Sequence, residues 1–242
     1  MIRRVSGQHF IKMDKATSII EKIPLNPRLN VLEIGVGRGE LTRYIAPKVK
    51  FVLGYEKDEN LYKIALERLK IFPNVKIVLG DALEANPTSF DLIIGNLPYS
   101  ISRKFIEWMI VNNVKRAFVV LQREFVKKLK SKPGHRKYSV YSVLTQYFYD
   151  FYTLLVIPPF WFQPPPKVYS YLVEFRRKKR PLYVSGLIEE VRNLFVRKRK
   201  KLKSIVNKVW NERLLEKRVC ELEPDVVIKI AKKNLERKLH SR

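Results

Sequence analysis

Two hydrophobic rhythms alternate along the first two thirds of the chain. Short apolar runs occupy Asn30–Ile34, Phe51–Tyr55, Val75–Leu79, Phe90–Ile94 and Ala117–Leu121. Their length and content of Val, Ile and Phe predict buried strands. Between them, apolar residues recur at helical spacing. Glu40–Ile45 begins one helix, stopped near Pro47. Asp58 is placed to cap a second, carrying Leu61, Ile64, Ala65 and Leu69, and Ser102 to cap a third, carrying Phe105, Ile106, Met109 and Ile110. Strands separated by helices predict an α/β fold with a mostly parallel sheet covered on both faces. Tyr152–Ile157 and Val168–Phe175 leave no room for a crossover helix, so they are expected to form an antiparallel hairpin at the sheet edge.

The pattern changes at Arg176-Arg177-Lys178-Lys179-Arg180-Pro181. Beyond it only helical patterns remain, near Val184–Phe195, Lys200–Trp210 and Pro224–Leu239. In the last, Pro224 and Asp225 make a helix start, followed by Val226, Val227, Ile230, Ala231 and Leu235. The expected domains are therefore 1–178 and a small helical domain, 179–242.

Charge and composition narrow the function. Of 242 residues, 49 are Lys or Arg and 23 Asp or Glu, a formal net charge of +26. Residues 176–242 contain 22 Lys/Arg against 8 Asp/Glu, a net of +14. Such an excess points to a polyanionic partner, nucleic acid or an anionic membrane surface, against the alternative of a merely solvated basic face. Arg197, Lys198, Arg199, Lys200, Lys201 and Lys203 stand with no acid among them. They are expected to line a helix and contact phosphates. No apolar stretch is long enough to span a bilayer, and the N-terminal residues lack an apolar signal core, so a cytoplasmic protein is expected. Cys220 is the only cysteine, which excludes an intrachain disulfide and a cysteine zinc site. His9, His135 and His240 lack metal-ligand spacing, so no metal is expected. No self-complementary apolar seam is evident, and a monomer is expected.

The candidate chemistry sits at the predicted strand ends. Glu33-Ile34-Gly35-Val36-Gly37-Arg38-Gly39 follows the first strand, a glycine-rich turn that lets a ligand approach bare backbone. Glu56 ends the second strand and can accept both ribose hydroxyls; Asp81 ends the third and can accept from an adenine amino group. Two such acids suit an adenosine-bearing ligand without phosphates. Gly-x-Gly-x-Gly is also not the dinucleotide spacing, which leans the reading toward S-adenosylmethionine. Asn96-Leu97-Pro98-Tyr99 ends the fourth strand. An amine conjugated to a base ring is a poor nucleophile because its lone pair is delocalised. The Asn96 side-chain oxygen and the Leu97 carbonyl can accept its two N–H bonds and draw the nitrogen toward a pyramidal form. Pro98 stiffens the turn, and Tyr99 offers a face for a flipped-out base.

Taken together, these residues resemble the KsgA-type ribosomal RNA adenine dimethyltransferases. The resemblance is carried by Gly7-Gln8-His9-Phe10-Ile11, the segment Leu32 to Gly39, Glu56, Gly80-Asp81-Ala82-Leu83 and Asn96-Leu97-Pro98-Tyr99-Ser100-Ile101-Ser102. Leu121-Gln122-Arg123-Glu124, Phe162-Gln163-Pro164-Pro165-Pro166-Lys167-Val168 and Phe195-Val196-Arg197-Lys198-Arg199-Lys200 add to it. It implies a class I, Rossmann-like methyltransferase domain followed by a small helical domain. It also implies dimethylation of two adjacent adenosines in a hairpin loop near the 3′ end of small-subunit rRNA, on the pre-small ribosomal subunit, with S-adenosylmethionine as donor. Implied cofactor contacts fall on His9, Ile11, Gly35, Gly37, Glu56, Asp81 and Asn96. Implied catalytic positions are Asn96, Leu97, Pro98 and Tyr99, with Phe162 closing the other face of the base. His9 stands where the family often has Asn, and Val36 where it often has Pro. A large-subunit rRNA adenine methylase, a DNA adenine methylase and a non-catalytic assembly factor are the alternatives.

Overall fold

The computed structural model describes residues 9–178, 185–206 and 212–240. They form two compact units. The first comprises the described residues up to Arg123 together with Phe151–Arg177, and the second comprises Glu124–Asp150 and those from Lys178 onward.

The first unit is built on a seven-stranded sheet. Its strands are β2 (Asn30–Ile34), β3 (Phe51–Glu56), β4 (Val75–Leu79), β5 (Leu92–Asn96), β6 (Arg116–Gln122), β7 (Tyr149–Ile157) and β9 (Ser170–Arg177), in the order β4-β3-β2-β5-β6-β9-β7. The first five run parallel, and β9 runs antiparallel to β6. A separate antiparallel pair joins β1 (Phe10–Ile11) to β8 (Phe162–Gln163). Helices α1 (Met13–Ile20), α2 (Thr42–Ile45), α3 (Glu59–Leu69) and α4 (Ser102–Val111) belong to this unit. Its main core gathers Ile19, Ile45, Val52, Ile94, Phe118, Ile157 and Phe162. The expected strands recur almost to the residue because the central parallel strands are covered on both faces and so are mostly apolar.

One shift matters for function. The fourth strand is Leu92–Asn96 rather than Phe90–Ile94. Asp91 stands just before it, its carboxylate accepting the Asn30 N–H at 2.8 Å and its own N–H bonding to Asn30 O. The ladder therefore continues to Asn96, which sits on the strand end opposite Val120 of β6. Because the chain steps from β2 outward to β3 and β4, then back across to β5 and β6, the order reverses between β2 and β5. Ligands of open α/β sheets bind at the carboxyl ends beside such a reversal.

Asp58 caps α3 as expected, its Oδ1 accepting from the N–H of Asn60 and Leu61 at 2.9 and 3.0 Å. Ser102 does not cap α4. It is the first helical residue, buried, behind a 3-10 turn over Tyr99–Ile101.

In the second unit, α6 (Val140–Phe148), α7 (Leu187–Val196) and α9 (Pro224–His240) pack on one another, with α5 (Arg123–Leu129) and α8 (Glu212–Leu215) beside them in sequence. Tyr138 is fully buried there, its hydroxyl donating to Leu222 O at 2.9 Å. A single cut after residue 178 describes half of this division, since the chain also leaves the first unit at Glu124 and returns at Phe151.

The basic segment is not a helix. Successive N–H groups of Lys198 and Lys200 bond back three residues, to Phe195 O and Arg197 O, and Lys201 bridges antiparallel to Arg218. Six cations in seven positions offer no apolar stripe to hold a helix against a core and repel one another at helical spacing. Residues 207–211, which complete the expected Lys200–Trp210 helix, lie outside the described residues.

Candidate active site

The glycine turn folds over the end of β2. The N–H groups of Gly35 and Val36 both bond to Tyr55 O at 3.0 Å. Gly37 takes φ +63°, a left-handed conformation that a side chain would strain, and a Cβ there would also press on Glu40 Oε2 at 2.9 Å. Its N–H donates to Glu56 Oε2 at 2.8 Å. Glu56 Oε1 meanwhile accepts from the N–H of Lys57 and Asp58, each at 2.9 Å. Thus the acid at the end of β3, which is buried, holds the turn after β2 in place before any ligand arrives.

Asp81 follows β4. Its Oδ1 accepts the Leu83 N–H at 3.0 Å and its Oδ2 the Lys57 ammonium at 2.8 Å. Partial burial pushes its pKa up, but the Lys57 bond, the Leu83 N–H and the Lys57 charge outweigh it and the net is a lowered pKa. Lys57 is two-thirds exposed, so the pair is weak enough to open for a ligand.

Two further acids line the same cleft. Glu33, on β2, is wholly buried, and its Oε2 has no hydrogen-bond partner among the described residues. Burial raises its pKa to about 8, with the Thr42 hydroxyl opposing and the charges of Glu40 and Glu56 reinforcing the rise. Glu40 is also raised by burial, against the Arg38 N–H that its Oε2 accepts at 2.9 Å.

On the other wall stands Asn96. Its Nδ2 donates to His9 O at 2.8 Å. A carbonyl can only accept, so this contact fixes which end of the amide is which and leaves Oδ1 as the end turned from His9. Leu97 is buried, with Pro98 extended after it. Tyr99 is partly buried, its hydroxyl 3.2 Å from Ser170 Oγ. Desolvation raises its pKa, with the Ser170 contact opposing. The His9 ring lies 5.5 Å from the Tyr99 ring, tilted by 36°, and its Nδ1 contacts Pro164 O at 2.8 Å. Gly95 explains the close approach of the two walls: a Cβ there would meet Ile34 O at 2.7 Å.

One cleft therefore collects His9, Ile11, Gly35, Gly37, Glu56, Asp81, Asn96, Leu97, Pro98 and Tyr99, all of them expected from sequence. Phe162 is not among them. It is 2% exposed, opposite Ile11 in the β1–β8 pair and packed in the main core, behind the cleft's lining. Gly7 and Gln8 lie outside the described residues. Sequence reading passed over Glu33 and Glu40 as site residues; their signal was two acids inside an apolar strand-and-turn segment. Of the basic run, Lys201 and Lys203 both bond to Glu216 at 2.6 Å, and these bonds, Lys201 first, hold that carboxyl down at about 2. Lys198 reaches Tyr138 O. Arg197, Arg199 and Lys200 have no ion pair among the described residues. No group of three or more His, Cys, Asp or Glu able to hold a metal occurs among the described residues, and no described helix is long and apolar enough to cross a membrane.

The profile of the ribosomal RNA adenine dimethylase family matches residues 1–236. The chain belongs to this family. A ribosomal RNA small subunit methyltransferase A of Thermotoga petrophila is 36% identical over 205 residues, covering 84% of this chain and 79% of that one. A protein named a probable ribosomal RNA small subunit methyltransferase A, from Pyrobaculum aerophilum, is 37% identical over 180 residues, 74% and 76% of the two chains. Among solved structures, a dimethyladenosine transferase from Plasmodium falciparum shares the fold, with a TM-score of 0.79 at 24% identity over 92% of this chain and 96% of that one. The 23S rRNA methyltransferase ErmE gives a TM-score of 0.68 at 25% identity over 92% and 98%. The class I methyltransferase fold, a mostly parallel sheet with a helical C-terminal region, is thus common to this dimethylase-family chain and its neighbours.

Proposed function

We propose that the protein transfers methyl groups from S-adenosylmethionine to adenosine N6 in small-subunit rRNA, dimethylating two adjacent adenosines near its 3′ end, in the cytoplasm and as a monomer. The observation that carries this reading is the clasp between Asn96 and the His9 carbonyl. It orients the amide so that Oδ1 and the Leu97 carbonyl are the two acceptors beside Tyr99, in the cleft that also holds Glu56 and Asp81.

The cleft's residues fit the cofactor. Asp81 has a carboxylate oxygen held only by an exposed lysine, suited to an amino group. Glu33 keeps an orphaned carboxyl oxygen in the wall, a polar group that a ligand's hydrogen-bonding atoms can satisfy. Glu56 has one acceptor site, on Oε2, beyond its three backbone N–H donors, suited to a ribose hydroxyl. When bound, S-adenosylmethionine supplies an electrophilic methyl carbon and leaves as the neutral thioether S-adenosylhomocysteine.

The chain's own part is positioning. Asn96 Oδ1 and Leu97 O accept the two N6–H bonds, withdrawing the nitrogen lone pair from the ring and aiming it at the methyl carbon. Tyr99 carries the flat face of the base. As the N–C bond forms the nitrogen becomes cationic and strongly acidic, so its proton passes to water and no tuned general base is required. Rate then comes from alignment and from acceptors placed where positive charge develops. After the first methyl one N–H is gone, and one acceptor must release before the second transfer. Arg197, Arg199 and Lys200 supply unpaired cations for rRNA phosphates, which supports the RNA-binding role expected of the basic segment.

The test is methyl transfer from labelled S-adenosylmethionine to unmethylated small subunits, with nucleosides identified by mass. N6,N6-dimethyladenosine at two adjacent positions, lost in Asn96→Ala, is the expected result. Label in large-subunit RNA alone would overturn the substrate. Cofactor binding without label in any RNA would overturn the activity and favour an assembly factor.

A further inference from the structure

Behind the glycine turn, on the first unit, a groove is lined by Met13, Arg38, Gly39, Arg43, Arg68 and Leu69. Three guanidinium groups converge on it from three places: the turn, the start of α2 and the end of α3. Arg38 lies over the Phe10 ring at 4.8 Å and Arg43 over the Tyr44 ring at 5.8 Å. Neither they nor Arg68 has an ion pair among the described residues, and Arg43 and Arg68 are exposed. Glu40 feels the charges of Arg38 and Arg68, but it is buried and lines the cofactor cleft. The groove is lined by three planar cations and no acid, which makes it positive. Stacking on Phe10 and Tyr44 also holds two of the forks in place without using their N–H donors, which stay available to a ligand.

The geometry points to a phosphate-binding groove formed by Arg38, Arg43 and Arg68, which takes a backbone phosphodiester of the RNA substrate and is distinct from the basic segment of the second unit. Two features favour an RNA phosphate. Planar, five-donor guanidinium forks match phosphate oxygens bidentately. Phe10, under Arg38, also lines the cofactor cleft and is the neighbour of His9, which touches Tyr99, so the groove adjoins the place where the target base is proposed to sit. This inference rests on the RNA-methylating reading above and adds a contact site to it.

The test uses the full chain and a fluorescein-labelled hairpin from the 3′ end of small-subunit rRNA with both adenosines in its loop. Anisotropy titrations are run from 50 to 300 mM KCl on wild type, on a triple variant (Arg38→Gln, Arg43→Gln, Arg68→Gln), and on a charge-matched control (Lys22→Gln, Lys48→Gln, Lys50→Gln). The control lysines are exposed on the connections into β2 and β3. The arginine variant is expected to bind about tenfold more weakly, with the slope of log K against log salt shallower by about one or more. The control is expected to change both much less, and calorimetry with S-adenosylhomocysteine is expected to give wild-type affinity for the arginine variant. Arg→Lys at the same three sites should keep most of the salt slope while losing part of the affinity. Equal losses in the two glutamine variants would overturn the groove as a site. A loss of cofactor affinity in the arginine variant would instead assign these residues to holding the turn. Failure of wild type itself to bind the hairpin would count against the functional reading above.

Discussion

Glu56 is expected to matter before any cofactor binds, and Glu56→Gln isolates that role. In wild type both carboxylate oxygens are used: Oε2 takes the Gly37 N–H and Oε1 the N–H of Lys57 and Asp58. Glutamine has one oxygen. Its better orientation keeps the oxygen on Lys57 and Asp58 and turns the amide NH2 toward the Gly37 N–H, donor against donor, where the oxygens stood 2.8 Å away. The Gly37 donor is then unsatisfied at a buried position, a cost of about 1–3 kcal/mol, and the two surviving bonds lose their charge assistance. A total near 3 kcal/mol corresponds, for a chain of this size, to a fall in Tm of about 6–12 °C. Calorimetry of the ligand-free variant measures it, with titration of S-adenosylhomocysteine reporting the cofactor side. An unchanged ligand-free Tm together with weakened cofactor binding would refute the reasoning, since it would make Glu56 a hydroxyl acceptor and nothing more.

Other outcomes follow from the same geometry. Glu33 is protonated in the folded state up to about pH 8 but ionises above its ordinary 4.5 when unfolded, so wild type should lose stability as pH rises between those values. The Tm advantage of Glu33→Gln should therefore grow from pH 4.5 to 8, and a gap independent of pH would count against a buried, proton-holding carboxyl. Glu174 has the opposite sign: partial burial raises its pKa, but its bonds to Arg176 and Arg116 outweigh that and leave it lowered. Its stabilising contribution is present above the unfolded pKa and lost as pH falls, so the deficit of Glu174→Gln in thermal melts should be full at pH 7 and close below about pH 4.5. At His9, asparagine retains a donor near the Nδ1 position and phenylalanine retains a ring. His9→Phe should slow single-turnover methyl transfer about tenfold, the equivalent of one lost hydrogen bond of ~1.4 kcal/mol, and His9→Asn less. Equal rates in the two would show that the Pro164 contact does not position the site.

The sheet was readable because its central strands are buried and apolar, as Asn30–Ile34 is, and the edge strand Val75–Leu79, though half exposed, is still rich in Val, Ile and Leu; both recur without a residue's error. Register was harder, since nothing in Phe90-Asp91 announces that Asp91 ties to Asn30 and starts the ladder two residues late. Helix α1 went unread although Ala16, Ile19 and Ile20 carry its buried face, because a helix of eight residues shows only one repeat of its period. Segment 123–148 hid α5 and α6 for the same reason, and its Ser139–Ser142 capping box is a weak signal between loop residues. In the site, residue types that bind ligands were legible one by one, whereas the contact of Asn96 with a backbone carbonyl 87 residues away was not, since a carbonyl has no identity in the sequence. The burial of Phe162 was not legible, because an aromatic in a proline-rich loop looks exposed and the short β1–β8 pair that buries it is too brief to show any alternation.

The second unit is assembled from two stretches of chain separated by strands of the first. During synthesis α6 is made before α7 and α9, so its buried face of Val143, Leu144, Tyr147 and Phe148 must wait for them. A chain ending near residue 178 would hold that face uncovered and be prone to aggregate or to recruit a chaperone, while a fragment beginning there would lack the helix its own apolar stripes are shaped to meet. Synthesis of α7 and α9 is therefore expected to be what covers α6, and release before them should yield insoluble product in place of a working catalytic core.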